Sequence, residues 1–120
     1  MQVSRLKANG RAFAHIAELH PELTRLRRDL HAHPELGFEE FYTARRVKEA
    51  LVLCGVDEIH EGIGKTGLVA VIRGQRDTRG RMLGLRADMD ALPMVESNEF
   101  AWKSCKSGLM HGCGHDGHVA

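Results

Sequence analysis

The spacing of hydrophobic positions changes character along this chain. Between Pro21 and Pro34, Leu23, Leu26 and Leu30 recur at three- and four-residue intervals with Arg25, Arg27, Arg28 and Asp29 around them. That is the pattern of an amphipathic helix whose leucines face a core. Pro21 suits a first helical turn and Pro34 blocks continuation. Upstream, Phe13, Ile16, Ala17 and Leu19 predict an earlier helical piece, broken or offset near Pro21. A second helix follows the connector "HPELGFEE" (33–40), with Phe41, Ala44, Val47, Leu51 and Cys54 on one side and Gly55 as its stop. Cys54, on that stripe, reads as a small buried hydrophobe.

From Val56 onward the period shortens. "DEIHEG" (57–62) predicts a short strand, and "GLVAVIRG" (67–74) and "RMLGLRA" (81–87) two more, the last two separated by the turn-rich "QRDTRG" and able to pair as a hairpin. Helices followed by short, mostly apolar strands predict an α/β layered domain, with helices packed on a β-sheet, rather than a bundle or sandwich. Between Pro93 and Gly108, "MVESNEFAWKSCKS" has no clear period and reads as a surface excursion.

With 120 residues, 42% of them hydrophobic, the chain fits one ordinary domain or part of one. The formal net charge of +1 provides no general field for phosphate backbones or acidic membranes, which argues against a nucleic-acid partner. The longest apolar run, "LVAVI", is far below the ~20 residues that span a bilayer. The N-terminal "MQVSRLKANGRAFAH" has no apolar core of signal-peptide length, so the expected location is cytoplasmic. Cys54, Cys105 and Cys113 are odd in number and show no C-x-x-C spacing, which points away from a disulfide framework and a thioredoxin-like pair.

Three stretches carry candidate chemistry. "GIGKTG" (62–67) contains the Gly-Lys-Thr of a phosphate-binding loop, but the full pattern needs glycine where this chain has Ile59, and strand rather than helix follows. It reads as a turn between strands. "MHGCGHDGH" (110–118) places three histidines, a cysteine and an aspartate within nine positions. Cys113 and His115 are two apart, so in an extended segment both project to one side and one ion could take both. Thiolate with imidazole suits zinc, while imidazole also accommodates nickel or iron. Asp116 and His118 fit either a cap on a following helix or partners that orient a ligand ring. The plain alternative is a glycine-rich loop with exposed histidines. In "LRADMDALP" (85–93), Asp88 and Asp90 end an apolar strand and face one way, where a carboxylate can bind a cation, accept the second N–H of a histidine ligand or tune a metal-bound water. Their plain alternative is a turn ahead of Pro93.

In this order, "LRRDLHAHPELGFEE", "GIGKTGLVAVI", "LGLRADMDALP" and "MHGCGHDGHVA" resemble the amidohydrolase family of hippurate hydrolase, N-acyl-amino-acid hydrolases and plant indoleacetyl-amino-acid hydrolases, over roughly residues 22 to 120. The resemblance implies a hydrolase with two divalent metal ions per complete site (zinc, manganese, nickel or cobalt), cleaving the amide of a small N-acylated amino acid or related compound. It matches Cys113 and His115 to metal ligands and Asp88 and Asp90 to the acidic active-site pair, with Asp88 favoured as the more important. It implies that residues 1–120 are the N-terminal portion of a two-metal, aminopeptidase-like catalytic domain, with helices on a mixed sheet. The rest of that domain and a dimerising lid domain are then missing, and the complete enzyme is expected to form a homo-oligomer. Gly112 stands where alanine is usual in the family, a change that should not disturb ligation.

The same resemblance places a glutamate pair, the first of them the general base, and two further histidine ligands beyond the last motif. Two local donors leave a catalytic zinc site short of its usual three protein ligands. His31, His33, His60 and His111 are possible substitutes, although packing or surface roles are commoner for each. These 120 residues alone are therefore expected to bind metal weakly at most and to turn over no substrate. Two other readings stay open: a small zinc-stabilised binding module, which a chelator would unfold, and an inactive remnant acting through exposed sheet edge and apolar surface.

Overall fold

The structure is a computed structural model that describes residues 10–75 and 80–120. The predicted packing of the Phe13 side chain and most of the turn over 75–80 lie outside the described residues. In chain order the elements are α1 (Gly10–Ala32), α2 (Phe41–Leu53), β1 (Glu58–Ile63), β2 (Gly67–Val71) and α3 (His115–Val119). The α/β class read from the sequence holds.

Helix α1 runs through Pro21 instead of breaking there. The proline forfeits one hydrogen bond, to the carbonyl four residues back, but good helix formers flank it on both sides, among them Ala17, Leu19, Glu22 and Leu23. Its leucine stripe is graded, with Leu23 and Leu26 half-buried and Leu30 fully buried. The helix stops before the buried Pro34, as its ring requires.

The 33–40 connector does structural work. The Glu35 carboxylate accepts the Tyr42 N–H at 3.0 Å and the Thr43 N–H at 2.8 Å, supplying acceptors for the first turn of α2 that the N-cap residue Glu40 does not supply. The Glu35 carbonyl accepts the Ala91 N–H at 2.7 Å. One residue thus fixes both the start of α2 and the loop that carries Asp88 and Asp90. Between α1 and α2, Asp29 accepts the Tyr42 hydroxyl and Arg46 Nε, each at 2.7 Å. Burial works to raise the Asp29 carboxyl, but the bonds from Tyr42 and Arg46 outweigh it and hold it below its ordinary value. Burial and that same bond push the Tyr42 phenol up to about 12.

Helix α2 stops just before Gly55, which takes the left-handed φ of 72°. Cys54 is exposed, against expectation. It is the C-cap residue, one position beyond the helix, where the stripe has run off the packed face. Strands β1 and β2 form a two-stranded antiparallel hairpin, from Glu58 opposite Val71 to Ile63 opposite Gly67. "GIGKTG" forms its turn, as read. The buried Thr66 hydroxyl there donates to Glu40, pinning the hairpin to the start of α2. A Cβ on Gly67 would stand 2.5 Å from the Ile63 carbonyl oxygen, so only glycine closes the turn in this form.

Residues 81–87 are not a strand, and β2 pairs with β1 instead of with them. A strand exists through its ladder, and no other described residue offers this segment one. Met82, Leu83 and Leu85 are almost fully exposed.

Candidate metal centre

Two loops converge through a short backbone pairing. Leu92 N–H donates to the Met110 carbonyl at 2.9 Å, and Met110 N–H returns to the Leu92 carbonyl at 3.0 Å. This antiparallel bridge sets the aspartates of 88–90 beside the histidines of 111–118, which lie some two dozen residues further along the chain. After the bridge, Gly114 takes φ 84° as the N-cap of α3, a conformation that suits glycine, and the chain turns into the helix that carries His115 and His118.

His115 is the best-defined member. Its Nδ1 lies 2.9 Å from Asp90 Oδ1 and 3.0 Å from the Asp90 carbonyl oxygen. Both oxygens only accept, so Nδ1 is the donor, which leaves Nε2 of the neutral ring as the atom able to bind a cation. Nε2 points toward Asp88 Oδ2 at 3.9 Å, too far for a hydrogen bond. Two donors each about 2.1 Å from one zinc ion can be at most about 4.2 Å apart, so this gap fits a bridging cation. His118, one turn on, stacks on His115 with ring centroids 5.2 Å apart. Asp88, His115 and His118 each offer a donor atom, all within 4.8 Å of one another. Asp88 uses its other oxygen for Arg86 at 2.7 Å.

Of the residues expected from sequence, Asp88, Asp90 and His115 come together. Cys113 is exposed and is not among the three converging donors. His118 was read as a cap or orienting partner, yet it shares a helix face with His115, a relation that i, i+3 spacing could have flagged. The four candidate substitutes have other environments. His33 donates from Nδ1 to the Asp29 carbonyl at 2.8 Å and packs on Tyr42. His60 is exposed, 3.2 Å from Glu58. His31 is buried between two carboxylates. His111 is buried with neither ring nitrogen hydrogen-bonded to a described residue, and burial lowers its basicity, with nearby Asp116 opposing.

The 94–107 stretch departs from a plain surface excursion. The Glu96 side chain is only 3% exposed, accepting the Ser104 N–H at 2.6 Å, Asn98 Nδ2 at 2.8 Å and His31 Nε2 at 3.0 Å. Burial works to raise its carboxyl, but these donors prevail and hold it down at about 2. Phe100 stacks on Trp102 at 4.7 Å, and the Arg28 guanidinium lies 3.7 Å above the Trp102 ring centre.

Residues 84–120, which contain both converging loops, match the model of peptidase family M20/M25/M40. The match to that family model is confined to these 37 residues. It is similar to a hippurate hydrolase of Campylobacter jejuni, 46% identical over 87% of this chain and 26% of the relative. An N-acyl-L-amino acid amidohydrolase of Geobacillus stearothermophilus is also 46% identical, over 88% of this chain and 28% of that protein. Among solved structures, a dinuclear metal-binding M20 peptidase of Bacillus subtilis superposes with a TM-score of 0.78 at 40% identity, covering 86% of this chain and 28% of the other. The chain therefore spans about a quarter of the length of the curated relatives it matches. No helix among the described residues is long and apolar enough to cross a membrane.

Proposed function

We propose that this chain is a member of the peptidase M20 family and supplies the first part of the catalytic domain of a metal-dependent amidohydrolase, cytoplasmic and homo-oligomeric when complete, that cleaves the amide of an N-acylated amino acid. The observation that carries the reading is His115, held at Nδ1 by Asp90 with Nε2 turned across a cation-sized gap to Asp88. His115 and the Cys113 thiolate are the proposed protein ligands, with His118 a further donor within reach of the same position. Asp88 is the acidic group facing His115, and Asp90 orients the His115 ring. Zinc, manganese, nickel or cobalt suits this mixture of imidazole, carboxylate and sulfur donors, and a complete site is read as holding two ions.

A divalent cation at such a site polarises the amide carbonyl and acidifies an attacking water. The residues of this chain hold and orient. Asp90 keeps the proton on Nδ1, so His115 presents a lone pair, and Asp88 adds negative charge opposite it. The proton-accepting base is assigned to the glutamate pair that the family resemblance implies. Cobalt(II) substitution tests the assignment. The expected spectrum contains a sulfur-to-cobalt charge-transfer band that Cys113→Ser abolishes, and a cobalt-loaded protein without that band would overturn Cys113 as a ligand.

A further inference from the structure

His31 lies in the last turn of α1 with a carboxylate at each ring nitrogen. Nδ1 is 2.8 Å from Asp116 Oδ2 and Nε2 is 3.0 Å from Glu96 Oε1. Arg27, one turn earlier, brings Nε to 3.2 Å from the same Asp116 oxygen. The side chains of His31, Glu96 and Asp116 are 4%, 3% and 0% exposed. Burying two carboxylates around one imidazole carries a large desolvation penalty, and such an arrangement is weak evidence of a stabilising role. None of the three is among the converging metal donors.

What they do control is α3. That helix has five residues, too few to hold a helical conformation unaided, and its N-cap Gly114 makes no side-chain capping bond. Its orientation must come from tertiary contact, and α1 is the helix it packs against. The one fully buried side chain of α3 is Asp116. At about 100° per residue, the midpoint between His115 and His118 lies about 130° around the helix from Asp116. Fixing Asp116 inward therefore turns the histidine pair outward, toward Asp88.

We propose that His31, assisted by Arg27, is a positioning residue for the metal centre: by gripping Asp116 it sets the rotation of α3, and with it the direction in which His115 and His118 present their ring nitrogens. This rests on the metal reading given above. His31 is 85 positions from Asp116 in the chain, and Glu96 lies 65 from His31 on a third segment, so the grip joins parts of the fold that no local motif connects.

Cobalt(II) titration of the complete enzyme that carries this chain, read by the visible ligand-field band and by competition with a chromophoric chelator, tests the proposal. His31→Gln is expected to weaken cobalt binding 10- to 100-fold, the usual consequence of losing a group that orients a ligand, and to shift the band. Tyr42→Phe removes a hydrogen bond to Asp29 between α1 and α2, away from α3, and is expected to leave cobalt affinity within twofold. Wild-type affinity and band in His31→Gln would overturn the proposal, as would an equal loss in Tyr42→Phe, which would mark a general stability effect. If His31→Gln does not fold, Arg27→Gln changes the half-exposed partner of the same oxygen. A several-fold loss supports the proposal there, and wild-type affinity overturns it. A wild-type complete enzyme with no cobalt band would instead defeat the underlying metal reading.

Discussion

Truncating Asp90 to alanine tests whether it orients His115 or ligates metal itself. Loss of a partner that orients a metal-bound histidine typically weakens affinity 10- to 100-fold, about 1.4 to 2.7 kcal/mol. Two features place this site at the lower end. The Nδ1 hydrogen is shared between the Asp90 carboxylate at 2.9 Å and the Asp90 carbonyl at 3.0 Å, and the carbonyl survives truncation. The Asp90 side chain is also 39% exposed, so solvent already moderates its charge. What Asp90→Ala removes is the charge-assisted part of the bond, roughly twice as strong as a neutral one. The expected loss in zinc affinity is about tenfold, near 1.4 kcal/mol. Asp90→Asn, which keeps the shape and drops the charge, should fall between that variant and the wild type. Competition against a chromophoric chelator at fixed pH measures each. A change below twofold would refute the orienting role, and a loss far beyond 100-fold would show that Asp90 binds the ion directly.

Three further measurements probe the frame around the site. Glu35→Ala leaves the Tyr42 and Thr43 N–H groups without their acceptor and should lower stability in urea by about 2–4 kcal/mol; a loss under about 0.5 kcal/mol would show that α2 is capped otherwise. The Glu96 carboxyl is depressed from 4.5 to about 2 in the folded chain, so its contribution is complete above its unfolded value and disappears as pH falls from about 4.5 toward 2. Urea midpoints of wild type and Glu96→Gln should therefore differ at neutral pH and converge across that window, and a gap unchanged down to pH 2 would contradict the assignment. Gly67→Ala drives a Cβ against the Ile63 carbonyl and should cost about 1–3 kcal/mol, whereas at Gly112 the obstructing atom is the sulfur of the flexible, partly exposed Met94. Gly112→Ala should therefore stay within about 0.5 kcal/mol of wild type, with unchanged zinc affinity.

Local features were legible because local spacing encodes them. The leucine stripe of α1, the stop at Gly55 and the hairpin turn at "GIGKTG" all depend on neighbours within a few residues. The pairing of Asp88 and Asp90 with His115 was legible as two motifs, though not as a geometry. The Leu92–Met110 bridge that joins them is a backbone contact with no residue-type signature. Glu96 gave no signal at all, since a glutamate in an aperiodic polar stretch looks the same whether it faces water or His31. Cys54 was misread by one position, because a helical stripe extrapolated past the last turn no longer describes a packed face.

The strand read at 81–87 exposes how the site is supported. Leu30 and Ala91 are the fully buried hydrophobic residues among those described, while Met82, Leu83 and Leu85 stand almost wholly in solvent. A run with apolar residues on both faces is what a strand enclosed within a larger sheet looks like, so the pattern reports what the segment needs rather than what the described residues provide. Asp90 is independent of that need, because the Ala91 bond to Glu35 and the Leu92 pair with Met110 hold the chain immediately after it. Asp88 sits on the other side of those anchors, directly after the unpaired segment and bonded to the exposed Arg86. His115 and its orienting partner are therefore held by contacts among the described residues, whereas Asp88 follows a segment that has no ladder among them. Metal affinity should rise when that segment is paired, because pairing restrains the carboxylate that faces His115 Nε2 and removes the entropy cost of ordering it on binding.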